Sequence, residues 1–153
     1  MKKYFNIFVT MLLALFTTSC LENGLEDLDS YDGCDITSGE IYWRYYGTDV
    51  IPGSGETQVK QVRLARAVQQ DAENNTFYIR YVTGNLPADQ VSAFTTSNVV
   101  IAVTISTAAI IKPIDGSPTL GVPGDWSKPN KYEVMAANGD KKVWTIVVEP
   151  YQN

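Results

Sequence analysis

Apolar and polar positions alternate with a period of two through most of the chain beyond residue 40, and the runs are rich in aromatic and β-branched residues. That period sends successive side chains to opposite faces of an extended strand, so it predicts strands with one buried face. Ile41, Trp43 and Tyr45 alternate with Glu40, Tyr42, Arg44 and Tyr46 as far as Gly47, ahead of the turn Pro52-Gly53-Ser54-Gly55. A second strand is predicted from Thr57 to Val68, with Val62 and Leu64 on one face and a bulge where the step from Val59 to Val62 breaks the alternation. Asp71 to Asn75 reads as a turn, after which Phe77, Ile79 and Tyr81 run out of phase with Tyr78, Arg80 and Val82. Leu86 to Thr96 reads as a connection with one short helical turn. Val99 to Ile105 is apolar almost throughout, as a strand inside a sandwich should be, and Ala108 to Ile111 is expected to continue it after a break. The Gly- and Pro-containing stretch from Pro113 to Pro129 is expected to be loop.

The last hairpin is the best specified element. Tyr132, Val134 and Ala136 form one apolar set and Trp144, Ile146 and Val148 another, with Asn138-Gly139 between them. A two-residue Asn-Gly loop would send the two sets to opposite faces. A loop of Ala137-Asn138-Gly139, with Gly139 left-handed, pairs Ala136 with Asp140 and Tyr132 with Trp144, so that both sets share a buried face. About seven short strands without an amphipathic helix predict an all-β domain, an immunoglobulin-like β-sandwich.

The first residues follow a different pattern. Lys2 and Lys3 precede the apolar run Tyr4 to Phe16, and the small residues Thr17, Thr18 and Ser19 lie directly before Cys20. This resembles a bacterial lipoprotein signal peptide, which would be removed before a lipidated Cys20. The run is too short for the roughly 20 helical residues that span a bilayer. The expected organisation is a signal peptide at residues 1–19, an acidic tether at 20–34 and one sandwich domain at 35–150.

Charge sharpens that division. The chain carries a formal net charge of −5, yet residues 21 to 40 contain Glu22, Glu26, Asp27, Asp29, Asp32, Asp35 and Glu40 and no base. Such a segment repels itself and suits an extended spacer beside an anionic membrane. Nothing resembles a basic stripe, so nucleic acid is not an expected partner. With Cys20 lipidated, Cys34 has no partner and reads as a small buried residue, because its neighbours Asp32 and Asp35 disfavour a thiolate. An unmodified Cys20 would leave a bridge to Cys34 open.

Ile105 to Pro113, Leu120 to Ser127, Tyr132 to Gly139 and Lys142 to Ile146 together resemble the uncharacterised immunoglobulin-like domains of Bacteroidetes outer-membrane lipoproteins. Those domains typically end in a Tyr-x-Val-x-Ala-x-(Asp/Asn)-Gly hairpin before a Trp-Thr-(Ile/Val) strand. The resemblance implies a sandwich tethered to the outer membrane, often beside glycan-uptake machinery, and it implies no catalytic residues. Periplasmic or surface exposure stays open.

The chemistry is narrowed by what is missing. There is no histidine, which removes the commonest general base and the usual Ser-His and Cys-His systems. Asp27, Asp29, Asp32 and Asp35 do not fit a calcium loop counted from Asp27, since position six is Asp32 and position twelve Ser38. We therefore expect neither an enzyme nor a metal or other cofactor. Tyr42, Trp43, Tyr45 and Tyr46 crowd one strand, and Trp126 lies in a loop. Exposed together, Trp126, Tyr42 and Tyr46 would stack on sugar rings and make a carbohydrate-binding module. Otherwise Trp43 and Tyr45 fill the core with Ile41, and Trp126 caps one end of the sandwich. The main expectation is a lipid-anchored, non-catalytic envelope domain that serves as an interaction or accessory module, held to the membrane through Cys20, with an envelope protein or a glycan as partner.

Overall fold

In β1 (Ile36–Val50) the alternation is realised as read: Ile41 and Trp43 point into the interior, while Tyr42, Arg44 and Tyr46 lie on the other face. The computed structural model describes residues 31–152. The expected signal peptide, Cys20 and the first part of the tether lie outside these residues. From Tyr31 the chain is attached to the domain, since Asn138 N donates to Tyr31 O and Cys34 is buried with its thiol directed at Asp140 O, 3.3 Å away.

The remaining strands are β2 (Thr57–Arg63), β3 (Ala65–Asp71), β4 (Thr76–Val82), β5 (Val99–Ile105), β6 (Ile110–Ile114), β7 (Pro123–Gly124), β8 (Asn130–Met135) and β9 (Lys141–Pro150). They form two sheets, ordered β2-β1-β5-β7 and β3-β4-β9-β8-β6. Neighbours are antiparallel except β4 and β9, which run parallel. The protein is thus an all-β sandwich, of nine strands where about seven were expected.

The extra strands come from segments that change sheet. Thr57 to Val68 is two strands, because Leu64 turns into the core and donates its N–H to Ile41 O, leaving β2 in one sheet and β3 in the other. The irregularity expected between Val59 and Val62 is absent, since β2 runs in continuous register from Val59↔Tyr46 to Arg63↔Tyr42. The sequence breaks its hydrophobic pattern there because Val59 faces outward and is exposed, not because the backbone bulges. Ala108 to Ile111 does not continue β5. A turn closed by Ala109 N to Ser106 O, with Ala108 at φ 60°, carries the chain to the opposite sheet as β6. Two pieces of the expected Pro113–Pro129 loop are strand, namely the end of β6 and the short β7. Pro113 is tolerated because β6 is an edge strand with only β8 beside it.

The C-terminal hairpin has the expected register. Tyr132 lies opposite Trp144, Ala136 N donates to Asp140 O, and Gly139 adopts φ 93°. Tyr132, Val134, Ala136, Trp144 and Ile146 all reach the core. They meet Ile36, Ile41, Trp43, Val99 and Ile101 from the facing sheet. Gly39 lies where Phe77 and Ile79 cross from the other sheet, and a Cβ there would stand 2.9 and 2.8 Å from them.

Candidate functional site

The three ring residues of the alternative, sugar-platform reading do not meet on one surface. Trp126 is 0% exposed and stacks on Tyr132, so it has no face to offer a ligand and the platform reading fails at that residue. Its burial has a local cause. The buried Asn130 donates from Nδ2 to Asp125 O and Lys128 O at 3.0 Å each, and Trp126 N donates to Thr96 O, which together fold the loop inward. Tyr42 is half-buried between Arg63 on β2 and Val100 on β5. Tyr46 is 76% exposed. Tyr42 and Tyr46 are four steps apart along the strand, roughly 13 Å.

What Tyr46 does join is a groove of about 610 Å³, lined by Trp43, Tyr45, Tyr46, Gln90, Asn98 and Pro123 among others. It exists because β1 outruns its neighbour. β5 pairs with β1 only as far as Trp43↔Val99, whereas β2 accompanies β1 on to Tyr46↔Val59 and Val50↔Thr57. Beyond Trp43 one edge of β1 therefore has no strand beside it. Residues from both faces of β1, Trp43 and Tyr45 on one and Arg44 and Tyr46 on the other, line the same hollow. That is the geometry of a groove wrapped around a free strand edge.

The inner wall is fixed in place. Trp43 packs edge-on against Phe94, with centroids 5.4 Å apart, and Phe94 in turn meets Tyr81 at 5.2 Å. The Trp43 indole N–H donates to Gln90 Oε1 at 3.3 Å, and Gln90 donates from Nε2 to Asp89. Burial raises the Tyr81 hydroxyl above its ordinary pKa, so it stays neutral beneath this wall. At the outer wall Arg44 donates to Gln61 Oε1 at 2.6 Å and reaches Gly121 O at 3.5 Å. It makes no ion pair with a carboxylate among the described residues. The other arginines do: Arg63 and Arg66 share Glu40, and Arg80 holds Glu149. Lys60 is also satisfied, since its bond to Asp49 at 2.7 Å and the charge of that carboxylate raise its pKa.

Two smaller hollows, of about 380 and 370 Å³, lie at Arg80 with Tyr151 and at Arg63 with Asn85. Their arginines are the paired ones. Among the described residues no cluster of acids and cysteine is arranged to hold a metal ion. The groove was not read from the sequence. Its sequence trace is the crowding of Tyr42, Trp43, Tyr45 and Tyr46 before Gly47, which marks the aromatic wall but not the missing neighbour strand.

Residues 36–147 match the DUF5018-related family over nearly the whole of the described sandwich. The chain belongs to that family. This DUF5018-related chain is also similar to a Bacteroides fragilis NCTC 9343 protein of known crystal structure, described as a "putative secreted protein", at 35% sequence identity and a TM-score of 0.67. The similarity covers 78% of this chain and 97% of that one. No curated protein matches the chain. Among the described residues, no helix of this family member is long and apolar enough to cross a membrane.

Proposed function

We propose that the chain is an exported, non-catalytic binding domain, lipid-anchored through Cys20, that meets an envelope partner through the groove at the free edge of β1. The observation that carries the reading is the opposition of the two ends of β1. At its start, Cys34 contacts Asp140 and Asp35 pairs with Lys142, so the chain comes into the domain beside the β8–β9 turn. At its far end lie Tyr46 and the groove. Ile36 and Tyr46 are about 33 Å apart along an extended strand. A domain held by its N-terminal side then presents the groove away from the point of attachment. The likeness to a Bacteroides fragilis protein described as a "putative secreted protein" supports export and an origin in the Bacteroidetes. The polar groups of the groove, Gln90, Asn98 and Arg44, suit binding and offer no nucleophile paired with a base.

Two measurements test this. Cys20→Ala is expected to abolish incorporation of labelled fatty acid, and labelling that persists would remove the anchor. A photocrosslinking side chain placed at Tyr46 should trap a partner on intact cells, whereas the same group at Lys112, exposed on the other sheet, should not. Equal capture from both positions would overturn the groove as the contact surface.

A further inference from the structure

We infer that the groove takes an extended peptide carrying an acidic residue, which adds as a strand to the free edge of β1 and continues the line of β5 beyond Val99. This rests on the reading of the groove as a partner-binding surface. Three independent features meet at one place.

The first is the backbone. Leu64 N donates to Ile41 O, which places Ile41, and by alternation Trp43 and Tyr45, with their backbone groups toward β2. Tyr42, Arg44 and Tyr46 then direct theirs to the β5 side. At Tyr42 that side is filled by Val100, but at Tyr46 no strand is there and neither the N–H nor the C=O has a backbone partner among the described residues. An open donor and acceptor on a strand edge are a template for another strand.

The second is shape. An added strand sends alternate side chains to the two faces of a sheet, and this groove has a wall on each face of β1. Trp43 and Tyr45 form one, and Tyr46 with Pro123 the other. A flat sugar ring would use one aromatic face and leave the edge unpaired. The third is charge. Arg44 is the arginine without a carboxylate among the described residues, and it borders the groove. A peptide carboxylate in reach of it would form a charge-assisted bond where a neutral ligand could not.

The test is selection of a random octapeptide library on the immobilised full chain. Selected peptides are expected to contain Asp or Glu within a run of β-forming residues, and a selected peptide should bind at least about tenfold more weakly to Arg44→Gln and to Tyr46→Pro. Proline at 46 removes the outward N–H and leaves the bonds to β2 in place, and unchanged thermal melting of Arg44→Gln checks the fold separately. Alternate N-methylation of the peptide should abolish binding, because it blocks main-chain pairing. Selected peptides without acidic residues, or N-methylated peptides that still bind, would overturn the inference. If no peptide is selected and polysaccharide gels retain the chain in a manner lost in Tyr46→Ala, the ligand is a glycan: the peptide inference fails and the groove stands. Failure of peptide, glycan and crosslinking at Tyr46 together would remove both.

Discussion

The rings of Trp126 and Tyr132 lie stacked, with centroids 5.8 Å apart and planes 8° apart, and the Tyr132 hydroxyl donates to Pro118 O at 2.6 Å. Together the pair fastens the long connection after β6 to the inner face of β8. Both side chains are fully buried, so removing the larger leaves a cavity that the surrounding strands cannot close. Trp126→Ala is expected to lower stability to urea by about 3–5 kcal/mol. A loss smaller than about 1 kcal/mol would place Trp126 outside the core.

Tyr132 also sets an alkaline limit. Desolvation by burial raises its hydroxyl well above the ordinary tyrosine value of 10.0. Above pH 10 the unfolded chain loses this proton while the folded chain keeps it, so the unfolded state binds fewer protons and stability falls as pH rises. Below pH 10 the contribution is fully present. Tyr132→Phe should flatten the decline of melting temperature between pH 10 and 11.5, while costing about 1–2 kcal/mol at neutral pH because Pro118 O loses its donor. A decline as steep as in the parent chain would assign the alkaline sensitivity to other groups.

Gly39 controls how closely the two sheets approach. A methyl group there would stand 2.8 Å from Ile79 Cδ1 and 2.9 Å from Phe77 Cε1, both buried and closely packed. We expect Gly39→Ala to destabilise by about 1–3 kcal/mol through overpacking. The truncation Ile79→Val, made with it, should recover part of that loss, and additivity of the two in urea titrations would show that the contact is not the cause.

Cys34 is buried and has no disulfide partner among the described residues, its Sγ is directed at Asp140 O, and its own carbonyl accepts the Trp144 indole N–H at 2.7 Å. It should react with a disulfide reagent slowly in the folded protein and rapidly in denaturant. Fast labelling under native conditions would mean that the N-terminal edge of the domain opens readily.

The sequence alone determined those parts of the protein in which local pattern and local chemistry agree. Alternation placed Ile41, Trp43, Phe77 and Ile79 on buried faces, and the need to bury both Tyr132 and Trp144 selected the three-residue turn ending at Gly139. Those constraints act between residues close along the chain, or between two strands joined by a tight turn, so the side-chain pattern carries them. Tertiary structure decided the rest. Whether Thr57 to Val68 is one strand or two depends on which sheet receives each half, and whether Trp126 meets solvent or Tyr132 depends on how Asn130 holds the loop and on the bond from Trp126 N to Thr96 O, thirty residues earlier in the chain. The groove is the clearest case: it is made by the point at which β5 stops pairing with β1, and no residue of β1 encodes where its neighbour begins. The aromatic residues that line it could be read from the sequence, but only the assembled sheet shows that the edge between them is free.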